Sequence, residues 1–182
     1  MLELILGGAR SGKSRLAEER ALASGKQLIY LATAETRDRE MSERVKLHQQ
    51  RRSDDWALIE EPLRLAETLK QHSRADNCIL VDCLTLWLTN CLLQSDQQSK
   101  NIQQDQVWQS ERAKLMDTLN DLPGDVIFVS NEVGQGVVPM GELSRKFVDE
   151  AGWLHQDLAK MCDSVVFVVA GLPQFLKTSQ SS

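Results

Sequence analysis

Gly7-Gly8-Ala9-Arg10-Ser11-Gly12-Lys13-Ser14 is the stretch that decides the fold, because it matches the pattern G-x-x-x-x-G-K-[ST] at every required position. An apolar run at Leu2–Leu6 precedes it, and a segment of helical character, Ser14–Ser24, follows it. Glycines at these positions let the backbone turn several N–H groups toward one anion, and the N-terminus of the following helix adds its positive dipole. The stretch therefore predicts a phosphate-binding loop between a strand and a helix.

The residues of this loop predict how it would hold a nucleoside triphosphate. The ammonium group of Lys13 is expected to reach the β- and γ-phosphates and to take part in catalysis, and the hydroxyl group of Ser14 is expected to ligate Mg²⁺. A phosphate loop specifies the ligand and leaves the reaction open, although transfer of a phosphoryl or nucleotidyl group is the expected chemistry. The nucleotide-binding candidates here are Gly7, Gly8, Ala9, Arg10, Ser11, Gly12, Lys13 and Ser14.

Short apolar runs alternate with segments of helical character along the whole chain. The runs are nearly continuous, which is typical of strands buried on both faces of a parallel sheet. Strands are predicted at Leu2–Leu6, Gln27–Ala32, Cys78–Asp82, Val126–Ser130 and Ser164–Ala170. Helices are predicted at Ser14–Ser24, Arg37–Arg52, Pro62–His72, Leu84–Leu93, Val107–Leu122 and Glu142–Cys162. This alternation predicts an α/β, three-layer P-loop NTPase fold with a mainly parallel, RecA-like sheet.

Length and composition favour one compact catalytic unit. The chain has 182 residues, of which 42% are hydrophobic, and this suits a single domain over residues 1–177. Pro123-Gly124 predicts a turn into the fourth predicted strand. The polar stretch Gln94–Gln106 predicts a solvated loop, and residues 178–182 predict a disordered tail.

Charge and cysteine usage exclude several function classes. A net charge of −5 argues against a dedicated nucleic-acid binder, which usually carries a basic stripe. No run approaches the roughly 18 apolar residues of a membrane span, and the chain enters its first strand without a signal-peptide pattern. The four cysteines form no C-x-x-C pair, so buried, reduced thiols in a cytoplasmic protein are expected rather than a zinc site or disulfides.

Polar residues follow two of the predicted strands, at the edge where ligands of open α/β sheets bind. Asp82 ends the run Cys78–Asp82 and is the candidate Mg²⁺ ligand, with capping of the next helix as the alternative. Asn131 and Glu132 follow the run Val126–Ser130 and are candidates for contact with the substrate. The alternative for Glu132 is a polar side chain that stabilises its own turn.

One histidine lies in a basic helical segment. At 100° per residue, Met41, Val45, His48 and Arg52 fall on one face of the predicted helix Arg37–Arg52. His48 is therefore either a histidine that covers the core beside Met41 and Val45, or a nucleophile, since a neutral imidazole is nucleophilic near neutral pH. The spacing of these residues is compatible with both roles of His48. The other two histidines have no comparable neighbours in sequence and are expected to be structural or exposed.

Taken together, these motifs resemble the bifunctional adenosylcobinamide kinase/adenosylcobinamide-phosphate guanylyltransferase family of cobalamin synthesis. The resemblance covers nearly the whole chain, and the histidine and Asn-Glu-Val-Gly segments are more specific than the phosphate loop. It is carried by Gly7–Ser14, Ala32-Thr33-Ala34, Asp38-x-Glu40-Met41-x-x-Arg44, His48-x-x-x-Arg52, Trp56, Glu60-Glu61-Pro62, Asp82-Cys83-Leu84-Thr85, Asn131-Glu132-Val133-Gly134, Gly136-Val137-Val138-Pro139 and Val169-Ala170-Gly171-Leu172-Pro173.

The resemblance implies two activities at one site. One phosphorylates the aminopropanol hydroxyl of adenosylcobinamide with ATP or GTP. The other transfers GMP from GTP onto that phosphate, giving adenosylcobinamide-GDP, and His48 matches the position that becomes the covalent GMP-histidine. For the kinase step, Glu132 and Asp82 are both possible bases, and a loose transition state needs none.

The resemblance also implies a homotrimer and a set of nucleotide contacts beyond the phosphate loop. These contacts fall on Ala32, Thr33, Ala34, Gln49, Gln50, Arg51, Arg52, Glu60 and Asp82. One departure concerns local loop shape, since Ser53 follows Arg52 where the family often has proline. The loop 133–141 is a hypothetical contact with the corrinoid.

The sequence is also compatible with two other functions of a protein that has a phosphate loop. The chain could be a different P-loop small-molecule kinase that never binds GMP covalently. It could also be a nucleotide-dependent switch, although it has no N-K-x-D guanine motif of the Ras type.

Overall fold

A computed structural model describes residues 1–34, 56–98 and 106–178 of the chain. Within these ranges the strands are β1 Leu2–Gly7, β2 Gln27–Ala32, β3 Trp56–Glu60, β4 Asn77–Asp82, β5 Asp125–Asn131, β6 Ser164–Val169 and β7 Leu172–Lys177. The helices are α1 Lys13–Ala23, α2 Leu65–His72, α3 Leu84–Gln98, α4 Gln106–Leu119 and α5 Glu142–Met161.

The strands form one seven-stranded sheet in the order β3-β2-β4-β5-β1-β6-β7. Every neighbouring pair from β3 to β6 is parallel, and β7 alone runs antiparallel, beside β6. The predicted mainly parallel sheet is thus confirmed. Because β1, β4 and β5 are interior strands, the loops after them leave the same carboxyl edge close to one another.

Helices cover both faces of the sheet, and each face buries its own apolar cluster. On one face α2, α3, α4 and α5 pack over Leu4, Ile79 and Phe128. On the other face the small residues Ala17 and Ala21 of α1 lie against the sheet. Successive residues of each strand point to opposite faces, so a nearly continuous apolar strand supplies both clusters.

Two tryptophans in the larger cluster are buried without leaving their indole N–H groups unpaired. Trp87 and Trp108 meet edge to face, with ring centroids 5.1 Å apart. Trp87 donates to the carbonyl of Leu63 at 2.7 Å, and Trp108 donates to the carboxylate of Glu150 at 2.6 Å. These bonds fix how α3 and α4 lie against α5 and the chain before α2, because a buried donor without a partner is costly.

The structure differs from the sequence predictions at three elements. The edge strands β3 and β7 were not predicted, because β3 is short and partly exposed and β7 is exposed throughout and contains Pro173. Helix α3 continues through Gln98, so the first part of the predicted loop Gln94–Gln106 is helical instead. Polar residues are compatible with a helix whose apolar residues, such as Trp87 and Leu88, are buried.

The described residues also test the predictions on cysteines and membrane spans. All four cysteines are free and buried, as expected. Among the described helices, none combines the length and the apolar character that crossing a membrane requires. The predicted helix Arg37–Arg52 and residues 179–182 of the predicted tail lie outside the described residues.

Substitution of Gly124 by alanine should destabilise the fold at the turn into β5. A Cβ atom there would lie 2.7 Å from Oδ1 of Asn77 and 2.9 Å from Oγ of Ser73, and it would also meet the backbone carbonyl of Arg74. We expect the free energy of unfolding, measured by urea titration, to fall by about 1–3 kcal/mol.

Gly152→Ala is the matched control, because a Cβ atom at this position in α5 meets nothing within 4 Å. Alanine is the better helix former, so this control should gain up to about 1 kcal/mol. Equal stability of the two variants would contradict the close packing around Gly124.

Candidate active site

The predicted phosphate loop is present between β1 and α1. Arg10 has φ 57° and Gly12 has φ 98°, so the loop contains two left-handed residues. The N–H of Ser11 donates to the carbonyl of Gly8 at 3.2 Å, and Nζ of Lys13 donates to the same carbonyl at 3.3 Å. The helix then starts at Lys13, which places its unpaired N-terminal N–H groups at the loop, as an anion site requires.

The β6–β7 hairpin supports the loop from the side. Ala170 and Gly171 form its turn with φ 52° and φ 80°, the left-handed pair of a type I′ hairpin. The N–H of Gly171 donates to the carbonyl of Ser11 at 2.7 Å. A Cβ atom on Gly12 would lie 3.1 Å from Cα of Gly171, so the two glycines allow a close approach of backbones. This support was not predicted from the sequence, where its local signal is a small residue followed by glycine between two strand-like runs.

Two side chains of the loop have the chemistry that an anionic ligand needs. Oγ of Ser11 is buried and has no hydrogen-bond partner among the described residues. Lys13 is also buried, with 8% of its surface exposed, and the bond that its ammonium group makes goes to a neutral carbonyl. A buried hydroxyl without a partner and a buried cation are both unfavourable unless a ligand compensates them, so the loop fits a phosphate group.

Asp82 and Ser14 are the residues that could hold a magnesium ion beside the phosphates. Asp82 ends β4 and accepts a hydrogen bond from the hydroxyl of Tyr30 at 2.7 Å, and Ser14 lies in the first turn of α1. A carboxylate and a hydroxyl are the hard oxygen donors that Mg²⁺ prefers, and Mg²⁺ usually takes its other ligands from water and phosphate. The described residues contain no group of three or more His, Cys, Asp or Glu that could enclose a metal ion, and Mg²⁺ needs none.

Hydrogen bonds join the ends of β2 and β4 beside Asp82. The hydroxyl of Thr33 donates to the carbonyl of Cys83 at 2.8 Å and accepts from the N–H of Cys83 at 3.0 Å. Nδ2 of Asn90 donates to the carbonyl of Thr33 at 2.8 Å. Thr33 is fully buried, so its side chain holds the strands together, while Ala34 next to it is partly exposed.

Three nucleotide-binding candidates lie at matched heights on this edge of the sheet. Ala32 is the register partner of Glu60 on β3 and of Asp82 on β4. Glu60 is exposed. Next to Asp82, burial and then the charge of Asp82 raise the pKa of the Cys83 thiol, so this cysteine is not a thiolate nucleophile.

The end of β5 brings Asn131 and Glu132 next to the start of the phosphate loop. Asn131 is the register partner of Gly7, and Nδ2 of Asn131 donates to the hydroxyl of Thr85 at 3.2 Å. The N–H of Glu132 donates to the carbonyl of Gly7 at 3.1 Å. Oε1 of Glu132 accepts from the N–H of Gly134 at 2.6 Å, so this carboxylate does stabilise its own turn. Stabilising this turn does not prevent Glu132 from also contacting a substrate, because the residue lies beside the phosphate loop.

His155 of α5 lies behind Glu132. Its Nε2 is 2.7 Å from Oγ of Ser130, and its Nδ1 is 3.8 Å from Oε2 of Glu132. Burial lowers the pKa of His155 below its ordinary value, and the nearby carboxylate of Glu132 opposes this shift. A structural or exposed role was expected for this histidine, and its side chain is buried beside the site candidate Glu132.

The structure therefore brings the phosphate loop, Asp82 and Glu132 to one edge of the sheet. His48, Gln49, Gln50, Arg51 and Arg52 lie outside the described residues, so their predicted roles stay predictions.

Gly7→Ala should weaken nucleotide binding. A Cβ atom on Gly7 would lie 2.5 Å from Oγ of Ser11 and 2.7 Å from the carbonyl oxygen of Val168, so the end of β1 must shift. We expect the dissociation constant for GTP, measured calorimetrically with Mg²⁺, to rise by about tenfold or more. The control Gly152→Ala should bind as the wild type does, and undiminished affinity of Gly7→Ala would show that binding does not depend on this close packing.

Comparisons with known proteins identify the family of the chain. Residues 3–176 match the family model described as cobinamide kinase / cobinamide phosphate guanyltransferase. The chain is 55% identical over 177 residues to the bifunctional adenosylcobalamin biosynthesis protein CobP of Pseudomonas aeruginosa, covering 97% of this chain and 98% of that protein. It is 35% identical over 177 residues to the bifunctional adenosylcobalamin biosynthesis protein CobU of Escherichia coli, covering 94% of this chain and 97% of that protein.

A solved structure confirms the fold class. The ATPase EscN, in complex with its central stalk EscO from the enteropathogenic E. coli type III secretion system, matches with a TM-score of 0.60 at 15% identity. The match covers 100% of this chain and 47% of that one, so the chain spans just under half of the ATPase. At this identity the likeness shows the P-loop ATPase fold alone. Sequence similarity over nearly the full length decides the family: the chain belongs to the cobinamide kinase / cobinamide phosphate guanyltransferase family.

Proposed function

We propose that the chain phosphorylates adenosylcobinamide with ATP or GTP and then transfers GMP from GTP to adenosylcobinamide phosphate, giving adenosylcobinamide-GDP. The observation that carries the proposal is the assembled phosphate loop, with its unpartnered Ser11 hydroxyl and buried Lys13, in a chain that matches the family over residues 3–176. Membership of the family supports the two reactions, and the loop is the proposed binding site of the triphosphate.

In the kinase step the hydroxyl of adenosylcobinamide attacks the γ-phosphorus. A new O–P bond forms, the bond from the γ-phosphorus to the bridging oxygen breaks, and the nucleoside diphosphate leaves. Lys13 and the N–H groups at the start of α1 stabilise the charge on the phosphate oxygens. Mg²⁺, held by Ser14 and Asp82, would supply further charge neutralisation. Glu132 and Asp82 are the carboxylates at this edge that could accept the proton of the hydroxyl.

In the guanylyltransferase step the unprotonated imidazole of His48 attacks the α-phosphorus of GTP. A P–N bond forms, pyrophosphate leaves, and a phosphate oxygen of adenosylcobinamide phosphate then displaces the histidine. Dividing one transfer into two displacements is ordinary covalent catalysis. His48 is proposed for this role on the family resemblance.

Further nucleotide contacts, the oligomeric state and the location of the enzyme are also proposed. Ala32, Ala34, Gln49–Arg52, Glu60 and Asp82 are proposed to contact the nucleotide, and the fully buried Thr33 is proposed to contribute by holding the ends of β2 and β4 together beside them. Glu60, Ala32 and Asp82 support this by their matched register at the carboxyl edge. A single domain over residues 1–177, a homotrimer, no nucleic-acid partner and a cytoplasmic location complete the proposal, and the four buried free thiols favour a reducing compartment.

His48→Asn should abolish GMP transfer and leave much of the kinase activity, because only the transferase step needs the imidazole. The measurement mixes the protein with Mg²⁺ and GTP labelled at the α-phosphate and counts label that survives denaturation. Alkali-stable, acid-labile label is expected in the wild type and absent from His48→Asn.

His72→Asn is the control, since His72 lies at the end of α2 and has no proposed role in the reaction. Equal loss of both activities in folded His48→Asn would contradict the division of labour. Absence of label from wild type that phosphorylates cobinamide would favour a simple small-molecule kinase.

Tyr30→Phe should raise the Mg²⁺ concentration needed for half-maximal activity. The change removes the donor that orients Asp82 at 2.7 Å and leaves the ring in place. Removing a hydrogen-bond partner of a metal ligand typically costs about 10–100-fold in metal affinity or activity. The measurement is a Mg²⁺ titration of cobinamide phosphorylation at saturating nucleotide, and an unchanged midpoint would argue against Asp82 as a metal ligand.

A further inference from the structure

Ser130, His155 and Glu132 form a chain of polar side chains between β5 and α5. Ser130 is fully buried, His155 is 7% exposed, and Glu132 is the member that reaches solvent. The contacts are 2.7 Å from Ser130 Oγ to His155 Nε2 and 3.8 Å from His155 Nδ1 to Glu132 Oε2. The chain therefore runs from the interior of the sheet to the edge where the phosphate loop lies.

Electrostatics favours one direction for the hydrogen bond between Ser130 and His155, because the other ring nitrogen of His155 lies 3.8 Å from a carboxylate oxygen of Glu132. With its lowered pKa, His155 is neutral at neutral pH and carries one ring proton. A proton on Nε2 would leave the lone pair of Nδ1 facing the carboxylate of Glu132, which is repulsive. The favoured tautomer carries the proton on Nδ1, directed at Glu132, and Nε2 accepts from the hydroxyl of Ser130.

Glu132 is held by one hydrogen bond at its backbone and one at its carboxylate. Its N–H is bonded to the carbonyl of Gly7, which begins the phosphate loop, and its Oε1 accepts from the N–H of Gly134. The imidazole of His155 faces the other carboxylate oxygen. Closing the turn requires only the Gly134 contact, and the imidazole 3.8 Å from Oε2 is an additional polar neighbour of the second carboxylate oxygen.

We propose that His155 is a positioning residue, which holds the carboxylate of Glu132 toward the acceptor hydroxyl in the phosphoryl-transfer step. This inference rests on the proposed function for the identity of the acceptor, and it selects Glu132 over Asp82 as the carboxylate that orients this hydroxyl. Asp82 accepts a hydrogen bond from Tyr30 and is already proposed as a ligand of Mg²⁺. Ser130 is not a nucleophile, although the order serine, histidine, carboxylate resembles a hydrolase triad, because its buried hydroxyl cannot meet a substrate.

A double-mutant cycle tests the inference on the full-length protein with cobinamide, GTP and Mg²⁺. The variants are Glu132→Gln, His155→Leu and the pair. We expect His155→Leu to lower kcat for cobinamide phosphorylation by about tenfold or more with little change in the KM for GTP, because the histidine neighbours the carboxylate of Glu132 and has no proposed contact with the nucleotide. The pair should be no slower than Glu132→Gln alone, since both changes remove the same function.

His155→Gln is the conservative variant, because an amide can accept from Ser130 and donate toward Glu132. It should recover most of the kcat that His155→Leu loses, while His72→Leu serves as the matched control at a histidine outside the site. Full kcat in folded His155→Leu, full kcat in Glu132→Gln, or losses that multiply in the pair would each overturn the inference.

A second measurement separates failure of this inference from failure of the proposed function. NMR titration of the His155 ring in wild type and Glu132→Gln does not depend on turnover. The ring pKa should fall in Glu132→Gln, because the carboxylate stabilises the imidazolium form. An unchanged ring pKa would overturn the contact itself, whereas the expected fall without any cobinamide phosphorylation would reject the proposed substrate and leave the His155–Glu132 pair established.

Discussion

The close packing of the phosphate loop against the β6–β7 hairpin is the constraint on which the rest of the site depends. A loop that turns its N–H groups toward an anion cannot satisfy them within itself, and its backbone must be held from outside. Here the N–H of Gly171 bonds the carbonyl of Ser11, and Gly7 lies so near Val168 that no side chain fits between them. Arg10 and Gly12 have positive φ in the loop that this packing holds.

The parallel sheet turns that local arrangement into an active site. Since β1 is flanked by β5 and β6, whatever follows these strands must lie beside the loop. The end of β5 delivers Glu132, which is bonded through its N–H to Gly7, and β4 delivers Asp82 one strand further along the sheet. The two carboxylates have different neighbours, a tyrosine hydroxyl for Asp82 and an imidazole for Glu132, and this difference supports the different tasks proposed for them.

Most of the fold could be predicted because its signals are local. The interior strands are apolar throughout, since both of their faces are covered, and this makes them recognisable without knowledge of their neighbours. The edge strands β3 and β7 lack that signal because they are largely exposed. The polar end of α3 was predicted as a loop because it has no apolar residues of its own to bury. It is helical as the continuation of the buried, apolar first half of α3.

The sequence by itself determined the phosphate loop and the family and predicted Asp82 as the Mg²⁺ ligand, because these features depend on residues that are contiguous or that follow a strand directly. Only the tertiary structure decided which contacts surround the candidate site. Gly171 reaches Ser11, Tyr30 reaches Asp82, and His155 reaches Glu132 across long stretches of chain. These contacts depend on strand order and register, and a parallel sheet sets both through packing between distant segments, which no local periodicity encodes.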